Sequence, residues 1–157
     1  MSKPRDILLP SHEKIKRAQS KFDYLKSAIG DYIRSNPYST RVEKEGEAVY
    51  FVTRREKEPP EDIGFEVVEA VGHLRSALDK MSVAIVESNE RGISGIGFPF
   101  GGLDNGKPEV FPSARMQNGI KRKLTADQWD LIETYRPYPG GNDILWAINQ
   151  IANDVLP

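Results

Sequence analysis

Cysteine is absent from this 157-residue chain, which removes disulfide frameworks, thiolate zinc sites, iron–sulfur clusters and cysteine nucleophiles at once. Histidine is nearly absent too, with two residues, and His12 and His73 lie too far apart in sequence to suggest a local acid–base or metal pair. Long apolar runs are missing. Runs such as Ala48 to Val52 fall far short of the roughly 20 residues that cross a bilayer, and the N-terminal MSKPRDILLP lacks the apolar centre of a signal peptide. The cytoplasm is the expected compartment. No surplus of one charge exists either, with 22 basic and 23 acidic residues and a net charge of -1. A nucleic-acid binder ordinarily carries a larger basic excess, and no helix-turn-helix, zinc-finger or RNP string is present.

Recognisable catalytic strings are also wanting. There is no HExxH, EF-hand loop or ExxH pair, and Glu43, Glu45 and Glu47 alternate as solvated hairpin carboxylates, so no metal is expected. The serines lack a G-x-S-x-G elbow. Gly92, Gly95 and Gly97 come without the Lys-Ser/Thr of a P-loop or a strand–glycine–helix context, and no nucleotide or other cofactor is implied.

What is present is periodicity. Val67, Val71, Leu74, Leu78, Met81 and Ile85 recur at heptad spacing within Ile63 to Glu87, and Ala70, Ala77 and Ala84 repeat every seven residues beside them. This pattern predicts a central helix, with alanines that let a second backbone approach closely. A second helix is predicted from Ser11, after a flexible lead over residues 1–10. Its seam is Ile15, Ala18, Phe22, Leu25, Ile29 and Tyr32, widened by Ile33, and it ends at Asn36-Pro37 because the residue before proline disfavours helix. The two are expected to pair antiparallel.

Between them, residues 40–54 carry β-branched and aromatic residues on either side of Glu45-Gly46, the pattern of a β-hairpin. Ala48, Tyr50 and Val52 alternate with Val49, Phe51 and Thr53, so both faces hold apolar surface, and such a hairpin should pack on a helix or a second subunit. Residues 88–117, rich in glycine and proline, read as a loop-rich arm pinned by Phe98, Phe100 and Phe111. Thr125 to Gln128 forms a capping box opening a helix with Trp129, Ile132 and Tyr135. After Arg136 to Gly141, Asn142 or Asp143 caps a last helix whose Leu145, Ile148, Ile151 or Ala152, and Val155 face inward. The expected fold is therefore α+β, mostly α. It has about four helices, two of them long and antiparallel, with an inserted hairpin and a loop-rich arm, in one domain over residues 11–157.

Several strings resemble those of a group of uncharacterised bacterial proteins with a central HNLRSALDHLA-like helix, followed by FP, QPY, LW and a final asparagine before DKHR. Here they stand as His73 to Lys80, Phe98-Pro99-Phe100, Arg136-Pro137-Tyr138, Leu145-Trp146, and Asn149 with Asn153. Lys80 replaces the histidine of LRSALDH, and the DKHR continuation is absent, so the resemblance implies a shortened, divergent member. The same string distantly resembles the R-x4-6-H signature of HEPN ribonucleases, which would give Arg75 a catalytic role with His73 or Lys80. Lysine at position 80 weakens that role, because its proton does not exchange readily near neutrality.

Arg75 and Asp79 stand one turn apart and are expected to form a structural ion pair. Lys14, Arg17 and Lys21 make one basic cluster and Lys121, Arg122 and Lys123 another, each able to contact phosphates but more simply read as solvated helix surface. The favoured function is a non-enzymatic helical module that binds another protein or itself as a homodimer. Given the bacterial resemblance, an inhibitory or regulatory role in defence or mobile-element biology follows as its finer form. A metal-independent ribonuclease using Arg75 and nucleic-acid binding through the basic clusters are the alternatives.

Overall fold

The computed structural model describes residues 7–104 and 107–155. Helix α1 (Leu9–Arg34) leads through the hairpin strands β1 (Tyr38–Glu45) and β2 (Ala48–Arg55) to helix α2 (Ile63–Ser88). The arm that follows contains the short strands β3 (Leu103–Asp104) and β4 (Lys107–Pro108), helix α3 (Ala114–Asn118) and a 3-10 turn over Ile120–Lys123. Helices α4 (Ala126–Tyr135) and α5 (Asp143–Val155) complete the chain. The architecture is α+β and mostly α, with five α-helices among the described residues rather than about four, the arm supplying the extra one.

Helix α1 begins at Leu9, two residues before the expected start, with Pro10 in its first turn, where a missing N–H costs nothing. Of the lead expected over residues 1–10, residues 1–6 lie outside the described residues. Ser11 is not the cap. Its hydroxyl donates to the Ala77 carbonyl at 2.9 Å, across the contact with α2. The same antiparallel pairing brings Lys21 to Glu66 and Glu69 and lets the Tyr24 hydroxyl donate to Asp62. At the other end Asn36 turns the chain with φ 50°, a left-handed conformation that asparagine tolerates.

The contact between the long helices follows their small residues. Ala70, Ala77 and Ala84 of α2 are buried, and so are Ser11, Ala18 and Leu25 of α1, again seven apart. Among the large residues of the expected α2 seam only Val71 is buried, the others being half-buried. On α1 the expected seam is displaced, since Ile15, Phe22 and Ile29 are exposed along one flank. A second cluster forms at the C-terminal end of α2, where Val86 packs with Ile120, Trp129 and Ile132, and Phe111 stacks on Trp129. On α4 Trp129 and Ile132 are buried and Tyr135 is exposed, and on α5 it is Ala152 rather than Ile151 that turns inward. The side chain of Val155 lies outside the described residues.

The hairpin pairs Tyr38 with Arg55 through to Glu45 with Ala48. Its two-residue turn is Gly46-Glu47, with Gly46 at φ 61°, the positive φ that a tight hairpin turn requires at its first central position. Fifteen of its sixteen strand residues are exposed, Val52 being the exception. Among the described residues it is anchored only at its base. There the Tyr32 ring meets Tyr38 edge-on at 6.5 Å, and the Tyr32 hydroxyl donates to the Lys57 carbonyl.

Candidate functional site around Arg75

Arg75 sits on the face of α2 opposite the alanine repeat, and three distant segments converge on it. From α5, the Asn149 carboxamide oxygen accepts from Arg75 Nη1, and Asn153 accepts from the same nitrogen at 3.3 Å. From the arm, the Phe100 ring lies under the guanidinium, 4.7 Å from its centroid to Cζ, a cation–π contact that fixes the plane of the group. From one turn along α2, Asp79 Oδ2 approaches Nε to 3.3 Å. That approach makes an ion pair but is out of line for a hydrogen bond, and Nε, which is buried, has no other partner among the described residues.

Asp79 has a second task. Its Oδ1 accepts from the Phe98 backbone N–H at 2.8 Å, tying the arm to α2 as Phe98 and Phe100, both buried, pack together. The arm is held on its other side by the segment after α4. Gly101 donates to the Pro137 carbonyl at 2.7 Å, and any side chain at Gly101 would collide with Tyr138. Phe111 packs on Tyr138, and Pro137 is fully buried.

Arg75, Phe98, Phe100 and Asn149 line one cavity of about 530 Å³, within the range of small-molecule sites. Arg115 and Glu109 also line it, as do Ser113, Met116, Ile120 and backbone at Gly95 and Gly97. Asn149, Asn153 and Phe100 thus join the site although nothing in their local sequence marks them as binding residues. Their only signal is that they fall within the strings quoted for the family resemblance.

The other sequence candidates lie elsewhere. His73 projects toward α1, where Lys14, Arg17 and Lys21 bear on it, with Glu69 alongside. Its pKa is lowered from 6.5, first by burial and then by repulsion from Lys14 and Arg17. Lys80 is exposed and does not line the cavity. Neither stands beside Arg75. The two basic clusters are partly consumed by internal contacts. Lys21 Nζ lies 2.8 Å from Glu66 and 2.5 Å from Glu69, which raises its pKa. Lys121 lies over the Trp129 ring at 4.9 Å, and Lys123 donates to the Gly92 carbonyl at 2.6 Å, holding the arm. Arg17 and Arg122 are exposed, and Lys14 is half-buried.

Among the described residues no group of three or more His, Asp or Glu side chains is placed to hold a metal ion. No described helix is long and apolar enough to cross a membrane. Comparison with family models, with curated proteins and with solved structures gives no match.

Proposed function

We propose that this chain is a non-enzymatic helical interaction module whose partner is a second copy of itself, joined through the hairpin. The observation that carries the reading is the uncovered state of β1 and β2. A two-stranded sheet is marginal in water without a surface to pack on, yet no described helix lies across either face, and Val42, Val49, Tyr50 and Phe51 are all exposed. Phe51 retains 76% of its accessible surface. The outer edges of both strands are open, and an edge of this length is a template for pairing with another chain. The exposed flank of α1, with Ile15, Phe22, Ile29 and Ile33, adds apolar surface of the same kind.

Mass measurement in solution tests the reading. A dimer is expected at micromolar concentration, with Phe51→Glu shifting it to monomer while helical circular dichroism persists. A monomer at every concentration would overturn it. The bacterial resemblance is what supports an inhibitory or regulatory role as the finer form of this function. The ribonuclease alternative has Arg75 at a cavity but no histidine or lysine among the described residues that line it, and Asp79 is occupied with the arm. Robust metal-free RNA cleavage abolished by Arg75→Ala would favour it instead.

A further inference from the structure

Two residues that line the cavity, Arg75 and Asn149, carry hydrogen-bond donors that no described residue uses. A guanidinium only donates, so the Asn149 atom facing Arg75 is the carboxamide oxygen, and that oxygen also accepts from Asn153 Nδ2 at 3.3 Å. The Asn149 amide nitrogen must therefore point the other way. It has no acceptor among the described residues, although Asn149 is only 8% exposed and lines the cavity. Arg75 Nη2 likewise donates to no acceptor among the described residues, its Nη1 being taken by the two asparagines and its Nε facing Asp79.

A second cation, Arg115, stands in the same lining and forms no ion pair with any described residue. One carboxylate, Glu109, lines the cavity against these two guanidiniums. Phe98, Phe100, Met116 and Ile120 supply its apolar side chains, and Ser113 and glycine backbone complete the wall. A purely structural tie between α2 and α5 needs neither the spare amide nor Arg115.

We propose that this cavity binds a small molecule through an oxyanion head, a carboxylate or a phosphate, received by Arg75 Nη2, Asn149 Nδ2 and Arg115, with an apolar portion against the phenylalanines. Hydrogen bonds from a guanidinium to a carboxylate or phosphate oxygen are charge-assisted and about twice as strong as neutral ones. No residue of the hairpin lines this cavity, so its test stands apart from that of the proposed dimer.

Isothermal titration of the full chain with phenyl phosphate and with benzoate tests it, with benzyl alcohol as the uncharged control. Saturable binding of at least one anion, and none of the alcohol, is expected; which anion binds identifies the head group. The decisive variant is Asn149→Asp. It keeps an oxygen facing Arg75, and so keeps the tie, but it replaces the cavity donor with a negative acceptor. Anion affinity should fall about tenfold or more while the melting temperature holds. Arg115→Gln, at an exposed position, should weaken binding without unfolding risk and decides the matter alone if Asn149→Asp does not fold. Absence of saturable anion binding at millimolar concentration would overturn the proposal. So would equal binding of benzyl alcohol, or affinity indifferent to Arg115→Gln.

Discussion

Arg75 and Asp79 illustrate how one ion pair can serve two further contacts. Arg75 satisfies the buried Asn149 oxygen, and Asp79 satisfies the Phe98 N–H, so the pair holds α5 and the arm against α2. Arg75→Ala leaves that oxygen in a buried site without its cationic donor, at a cost of about 1–3 kcal/mol. Asp79→Asn keeps an acceptor for Phe98 and loses only the charge of a partly exposed pair, worth about 1 kcal/mol or less. Urea denaturation of the two variants should rank them in that order, and equal losses would mean that the charge, rather than the hydrogen bonds, holds the site.

His73 carries a pH dependence with a definite sign. Its folded pKa lies below 6.5 because burial disfavours the imidazolium and Lys14 and Arg17 repel it; Lys21 adds to that repulsion and Glu69 opposes it. The unfolded chain therefore takes up the proton more readily. Stability is flat above about pH 6.5 and declines as pH drops through that value toward the folded pKa. Glu69 is held below its ordinary 4.5, chiefly by its hydrogen bond from Lys21. Its contribution is present above 4.5 and is lost as pH falls further. In urea midpoints recorded against pH, His73→Gln should flatten the upper decline and leave the lower one. A wild-type profile already flat between about pH 5 and 7 would count against the assignment.

At the scale of elements, the packing line and the apolar face are different things. The seven-residue repeats locate both long helices and their antiparallel pairing. They do not tell which edge of a broad apolar stripe meets the partner helix. On α2 the alanines face α1, because small side chains permit the close approach that puts Ser11 Oγ within 2.9 Å of the Ala77 carbonyl. The bulkier Ile15, Phe22 and Ile29 are thereby left on the flank. Ala70, fully buried at 0% exposure, has no room for a larger side chain, so Ala70→Leu should cost about 1–3 kcal/mol through overpacking. A neutral result in thermal denaturation would show that the helices slide apart without penalty.

The capping box at α4 was legible from four residues because it is local. Thr125 Oγ1 accepts from the Gln128 N–H while Gln128 Oε1 accepts from the Thr125 N–H. Its link to α2 was not legible, since Gln128 Oε1 also accepts from Asn89 Nδ2 at 2.7 Å across 39 positions. Thr125→Ala should cost about 1 kcal/mol, and Gln128→Ala more, since it removes both the cap and the tie to Asn89. The same distinction explains the site. Arg75 and Asp79 are one turn apart and can be paired from spacing alone, whereas Asn149 and Phe100 reach Arg75 only through the path of the arm and the docking of α5. No periodicity encodes that path.

Over the whole molecule, surface area bears on the proposed assembly. The chain exposes 11239 Å², against roughly 8,000 Å² for a compact monomer of its mass. Even when the ten residues outside the described set are allowed the full area of extended chain, an excess of about 1,600 to 2,000 Å² persists. A stable interface needs about 800 Å² from each partner, so an excess of this size leaves room for the second copy proposed above. Association that stabilises the folded chain makes its melting temperature rise with protein concentration, because each dissociation precedes or accompanies unfolding. The wild-type melting temperature should therefore climb over a hundredfold range of concentration. Phe51→Glu should melt at one temperature throughout, near the dilute limit of the wild type. If the two proteins instead melt together and independently of concentration, the exposed hairpin is a feature of the monomer and the excess area has no partner of its own kind.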